Sequence, residues 1–292
     1  MDVIRVIRRV TGQRKVGHGG TLDPDATGVL PICIGRATRF IDRFVRGRKV
    51  YEATARFGTA TDTYDASGRV TAESDASAIT REAIEALLPR FKGEISQVPP
   101  MYSAVKIDGV RLYKLARAGK EIDREARDVV VYSLETTSWE ITSREPPTLG
   151  LRIECGSGFY ARSLVHDLGL ALDNTAHLAG LVRSQVGPFT LNDAVTLDEI
   201  EQAKNAGEWE RLLYPIDAAL MELPAVVIDP LQEEAVNHGQ PVDLAIGGDG
   251  SKRTLAETAE VRAYNRDGDL IALMSYDAVL GNLNPVRVLT AN

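Results

Sequence analysis

Apolar and polar positions alternate at residues 51–57, where Tyr51, Ala53, Ala55 and Phe57 interleave with Glu52, Thr54 and Arg56. That period of two predicts a half-buried strand, and Leu149, Leu151, Ile153 and Cys155 predict another. Residues 29–34 run continuously apolar and predict a short buried strand. Helical spacing appears in three places. Residues 2–11 read as a basic helix with Val3, Ile4 and Ile7 turned inward. Thr80 is placed to cap a helix carrying Ala83, Ile84, Leu87 and Leu88 on one stripe. After Gly156-Ser157-Gly158, residues 159–172 place Leu164, Val165, Leu168 and Leu172 on one side. Residues 61–68 carry turn chemistry. Strands and helices mix without a βαβ rhythm, so the fold class is α+β.

A composition shift near residues 221–224 divides the chain into a segment 1–221 and a segment 222–292. In the second, residues 260–265 and 270–274 flank Arg266-Asp267-Gly268-Asp269, a hairpin signal, and residues 285–289 read as a closing strand. Short strands of this kind predict a small barrel. No apolar run reaches the length of a membrane span, which sets a membrane role aside. Cys33 and Cys155 both lie in apolar strand-like runs and read as buried thiols. His18, His166, His177 and His238 show no metal-ligand spacing, so no metal is expected. A net charge of -7 argues against a nucleic-acid partner until its distribution is considered. Residues 1–50 hold 11 Arg and Lys against 4 Asp, a balance of +7, whereas residues 191–260 hold 15 acidic against 4 basic residues, a balance of -11. A basic face and an acidic flank can coexist, and phosphate binding follows the local patch.

The most informative stretch is Gly19-Gly20-Thr21-Leu22-Asp23-Pro24-Asp25-Ala26-Thr27-Gly28. Glycines at both ends permit positive φ or close backbone approach, and Pro24 biases Asp23 toward an extended conformation. A single carboxylate is thereby held at the lip of an apolar element, although a plain turn accounts for the same residues. The wider string GHGGTLDPDATGVLPICIGRATR, residues 17–39, resembles the signature of bacterial TruB-type pseudouridine synthases, which convert uridine 55 in the T-arm of tRNA. The resemblance implies a mixed, mainly antiparallel pseudouridine synthase sheet over 1–221 and a PUA-like β-barrel over 222–292. It also implies a cofactor-free isomerase, expected as a cytoplasmic monomer whose partner is the tRNA T-arm stem-loop.

That chemistry breaks the N1–C1′ bond, turns the base and rejoins it through C5, which one carboxylate can begin as nucleophile or as stabiliser of an electron-poor sugar. Asp23 matches the family's catalytic aspartate; attack at C1′, attack at C6 and a glycal route all remain open. Arg162 matches the arginine that pairs with it. In the first turn of the 159–172 helix the dipole disfavours a cation by roughly 0.3–1 kcal/mol, which a carboxylate partner would offset. Tyr51 matches the active-site tyrosine implied to stack on the uracil, and Asp65 matches a hydrogen-bonding aspartate. Tyr160 and Arg162 belong to a segment similar to the family's C-S-x-G-T-Y-I-R. Leu181 and Arg183 match its L-x-R segment, implied to be pocket wall and RNA contact. His18 matches the signature histidine implied to help extrude the target base. Residues 99–122 resemble the thumb insertion that grips the T-arm, with Lys106, Arg111, Lys114, Arg117 and Lys120 against Asp108 and with Tyr102 and Tyr113 interleaved.

Two departures stand out. The family opens with a strand ending in D-K-P-x-G-x-T-S that is absent here, which leads to the expectation that the reading frame begins late and that an N-terminal strand is missing. Asp25 stands where the family often has a neutral residue, and it is expected to point to solvent. Two other classes compete with an isomerase: a tRNA-binding or tRNA-folding module without catalysis, and a nucleotide-binding enzyme using residues 17–20 as a phosphate loop. The latter lacks the Gly-Lys-Ser/Thr ending such a loop needs.

Overall fold

The structure is a computed structural model that describes residues 3–107, 109–119, 122–142, 146–243 and 260–289. They form two compact units, one of Met1–Gly17, Cys33–Arg39 and Val195–Asn292, the other of His18–Ile32 and Phe40–Ala194.

The second unit is built on a seven-stranded sheet. Its strands run in the order Phe189–Thr190, Ala176–Val186, Lys49–Phe57, Thr148–Cys155, Arg127–Glu140 and Gly93–Gln97, all antiparallel. The short Thr27–Gly28 strand joins Ala176–Val186 in parallel. Alternation in the two central strands sends Ala53, Ala55, Phe57, Leu149, Leu151, Ile153 and Cys155 into one core. The Ala161–Ala171 helix adds Leu164, Val165 and Leu168 to that core. Each fully buried aliphatic side chain contributes about 1.5–3 kcal/mol of transfer free energy. A one-residue slip would turn the whole set to the other face, so burial fixes the register. That register sets Tyr51 between Ile153 and Arg183.

Local signals explain the element ends. Thr80 Oγ1 accepts from Ala83 N at 3.2 Å and caps Arg81–Leu87, which buries Ile84 and leaves Ala83 exposed. The apolar run at 29–34 is not one strand: only Ile32–Ile34 is a strand, and Pro31 before it has no N–H to give a ladder. Cys33 and Cys155 are buried and free, and burial pushes the thiols up to about 11 and about 12.

In the first unit, the Val3–Thr11 helix buries Val6, Ile7 and Val10, whereas Val3 and Ile4 are half-buried. It packs beside Leu197–Asn205 and is tied there by Arg9 to Glu201 and by Lys204 Nζ to the Arg9 carbonyl at 2.9 Å. A five-stranded sheet follows the order Ala225–Val227, Glu260–Tyr264, Leu270–Asp277, Asn282–Val288, Val242–Asp243. Its first pair is parallel and the rest antiparallel. Val236, Val261, Ala263, Ala272 and Met274 are fully buried in its core. Arg36 donates to the Leu289 carbonyl at 3.2 Å and Arg39 to that of Val288, so two signature arginines hold the closing strand.

Candidate active site

The loop that carries Asp23 is fastened to the sheet from beneath. A Cβ on Gly28, whose φ is +106°, would lie 2.2 Å from the Arg183 carbonyl oxygen, so only glycine lets the two backbones approach. Val29 N donates to that same carbonyl at 2.8 Å. The Arg183 guanidinium, 1% exposed, donates through Nε to the Val29 carbonyl at 2.8 Å and through Nη2 to the Gly20 carbonyl at 3.1 Å. Nη1 reaches the Thr21 carbonyl at 3.5 Å. Arg183 thus lies under the loop with three of its donors turned to main-chain acceptors.

Asp23 meets Arg162 in a fork. Nε of Arg162 donates to Oδ2 at 2.9 Å and Nη2 to Oδ1 at 2.6 Å. The arginine side chain is 4% exposed while the Asp23 side chain is 36% exposed, so the carboxylate is gripped from the interior and open on its other side. The remaining guanidinium hydrogens reach the Thr63 carbonyl at 3.3 Å and the Tyr102 carbonyl at 3.1 Å. Asp65 Oδ2 stands 3.5 Å from Nη1. A guanidinium buried without a counter-ion is costly, and here two carboxylates and two carbonyls surround it. Arg162 lies in the first turn of Ala161–Ala171.

Asp65 is itself oriented by donors: Oδ1 accepts from Thr63 Oγ1 at 2.7 Å, Ser67 Oγ at 2.6 Å and Ser67 N at 3.1 Å. Asp23, Asp25, Asp65 and Leu181 line one cleft with residues 178–180. Asp25 is exposed at its mouth. Tyr51 packs against the core, and burial pushes its phenol up from the ordinary value, with Arg183 opposing and Asp23 adding to the rise. Its hydroxyl is therefore a neutral donor at pH 7. Burial likewise raises the Tyr160 phenol. Tyr160 precedes the Arg162 helix, and its backbone is held by Gln97: Tyr160 N donates to Oε1 at 3.0 Å and Nε2 donates to the Tyr160 carbonyl at 3.3 Å.

His18 is half-buried, and its Nδ1 lies inside without a protein partner. The insertion makes a small hairpin of Lys106–Ile107 and Val110–Arg111 followed by the Leu112–Arg117 helix. Arg111 and Lys114 are exposed on it, while Leu112 is fully buried. Asp108 and Lys120 lie outside the described residues. Among the described residues, no group of three or more His, Cys, Asp or Glu is arranged to hold a metal ion, and no helix is long and apolar enough to cross a membrane.

Thr63 and Gln97 serve this network with no sequence signal for it, and Tyr102, expected from the sequence only as an aromatic of the insertion, joins it as well. Thr63 and Tyr102 reach Arg162 through backbone carbonyls, which leave no residue-type signal. Gln97, 2% exposed at the end of a strand, was the more detectable, since a buried amide needs partners.

The family model for the TruB family pseudouridylate synthase N-terminal domain matches residues 8–161. The model for the tRNA pseudouridylate synthase B C-terminal domain matches residues 162–221. The tRNA pseudouridine synthase B of Dehalococcoides mccartyi (strain ATCC BAA-2266) is 43% identical over 246 residues, 84% of this chain and 80% of that protein. That of Symbiobacterium thermophilum is 46% identical over 238 residues, 82% of this chain and 77% of the relative. Among solved structures, a chain of a Cbf5-Nop10-Gar1 complex superposes with a TM-score of 0.69 at 28% identity, over 99% of this chain and 80% of that one. With a signature-bearing loop, a forked Asp23–Arg162 pair and matches of this extent, the chain belongs to the TruB family of pseudouridylate synthases.

Proposed function

We propose that this chain isomerises uridine 55 to pseudouridine in the T-arm of tRNA, with Asp23 as the carboxylate at the reacting sugar. The observation that carries the reading is the asymmetry of the Asp23–Arg162 pair, a 4% exposed guanidinium behind a carboxylate that is 36% exposed. Relatives named tRNA pseudouridine synthase B support the RNA class. The reaction cleaves N1–C1′ and forms C5–C1′; C5 gives up its hydrogen and N1 gains one, so no redox partner is needed. Asp23 acts as nucleophile or as stabiliser of the electron-poor sugar.

Around it, Tyr51 stacks on the extruded uracil and its neutral hydroxyl assists proton transfer. Asp65, Leu181 and Tyr160 shape the pocket. Flipping the base costs a few kcal/mol of lost stacking and pairing, and His18 helps occupy the space left behind. Lys106, Arg111 and Lys114 of the insertion contact T-arm phosphates. Arg183, expected from the resemblance as an RNA contact, is buried beneath the Asp23 loop and acts on the substrate only by positioning that loop. Functionally, residues 1–221 form the catalytic segment and residues 222–292 a PUA-like RNA-binding segment, in a cytoplasmic monomer. Incubation with an unmodified tRNA transcript, followed by chemical mapping of pseudouridine, tests the reading. Modification at position 55, abolished when that base is cytidine, is expected. Binding of tRNA with no pseudouridine formed would overturn it.

A further inference from the structure

Tyr64 has a φ of +63°, in the left-handed region that bulky side chains avoid. It stands between two groups that serve one nitrogen: the Thr63 carbonyl, 3.3 Å from Arg162 Nη1, and Asp65 Oδ2, 3.5 Å from the same atom. The left-handed turn brings a carbonyl and the carboxylate two residues later onto that single donor. A relaxed backbone at residue 64 would rotate one of the flanking peptides and move one acceptor away.

Strain of this kind persists only where the surroundings over-determine it. Here the Tyr64 carbonyl accepts from Leu178 N at 3.0 Å, and its ring lies on the His166 imidazole with centroids 3.9 Å apart and planes 7° from parallel. His166 is one helical turn beyond Arg162 on the same helix. The stack therefore ties the strained turn to the element whose guanidinium it must meet. Burial, and then Arg124, hold the imidazole below its ordinary value, so the ring is mainly neutral at pH 7.

We propose that Tyr64 and His166 are a positioning pair, a ring stack that holds the turn in its left-handed conformation and so sets the Arg162 guanidinium, and through it Asp23, for the chemical step. The inference rests on the reading of Asp23 and Arg162 as the reacting site. Single-turnover pseudouridine formation at saturating tRNA, tRNA affinity and thermal melting are measured for His166→Ala, His166→Leu and His166→Phe, with Asp23→Asn as the reference. His166→Ala and His166→Leu should slow the single-turnover rate about tenfold while affinity stays within about twofold. His166→Phe, which retains a flat ring, should recover to within about threefold of the parent. If His166→Ala melts too low to assay, His166→Leu, which keeps apolar bulk, carries the same expectation. A parental rate for His166→Leu overturns the proposal, as does a His166→Phe rate no better than that of His166→Leu. An active Asp23→Asn protein would instead sink the underlying site reading, so the two failures are distinguishable.

Discussion

Replacing Arg162 with lysine preserves the charge and removes the fork. The guanidinium directs Nε and Nη2 at the two oxygens of Asp23 at 2.9 and 2.6 Å, and its other hydrogens at the Thr63 and Tyr102 carbonyls. A lysine offers three donors from one point and cannot span both carboxylate oxygens and both carbonyls. At least one charge-assisted bond to Asp23 is lost, worth about 1.5–3 kcal/mol, together with a share of the bonds to the carbonyls. Partial relaxation leaves a deficit of about 2–4 kcal/mol, so the chemical step should slow roughly 30-fold to 1000-fold. Because the residue is 4% exposed, its removal should scarcely touch RNA affinity. Single-turnover rates at saturating tRNA, with binding measured separately, resolve the two effects. An Arg162→Lys enzyme within about threefold of the parental rate would refute the argument that the fork, rather than the charge, holds Asp23.

Gly28→Ala forces a side chain into a φ of +106° with its Cβ 2.2 Å from the Arg183 carbonyl. Strain and displaced backbone together should cost about 2–4 kcal/mol and loosen the Asp23 loop, lowering both melting temperature and rate; an unchanged melting curve would contradict that packing. Asp167 is half-buried on the Arg162 helix, and burial raises its carboxyl to about 6 from an ordinary 3.8. A folded-state value above the unfolded one means the carboxyl favours the fold when protonated, and that contribution is lost as pH rises from 3.8 through about 6. Asp167→Asn should therefore stabilise the protein at pH 8 by about 1–2 kcal/mol, after allowance for partial solvation, with the gain vanishing near pH 4. Denaturant titrations across that range decide it, and an equal gain at both ends would count against the assignment.

Strand alternation was legible because burial enforces it: Leu149, Leu151, Ile153 and Cys155 are all fully buried, as their spacing predicts. The Thr80 cap and the Arg162 helix were legible for similarly local reasons. The inward face of Val3–Thr11 was not. Val3, Ile4, Val6, Ile7 and Val10 offer two overlapping stripes, and the partner helix Leu197–Asn205, distant in sequence, selects the one centred on Val6, Ile7 and Val10. The basic excess of residues 1–50 also looks different in three dimensions. Arg9 meets Glu201, and Arg36 and Arg39 meet carbonyls of the closing strand, so part of that charge serves the fold. Resemblance pointed to Asp23 and Arg162, yet two of the four hydrogen bonds that orient the guanidinium go to main-chain carbonyls of Thr63 and Tyr102, to which residue type is blind.

The proposed function stands or falls with the Asp23 carboxylate as the reacting group. Asp23→Asn keeps the side chain's shape and the loop's attachment to Arg183, removes the charge, and replaces one acceptor oxygen with an NH2 that faces an Arg162 donor. Pseudouridine mapped at position 55 of an unmodified tRNA transcript, alongside tRNA affinity, should show no product after prolonged incubation and binding within a few-fold of the parent. Product formed by the asparagine protein at a rate near the parental one would mean that the carboxylate is not the reacting group.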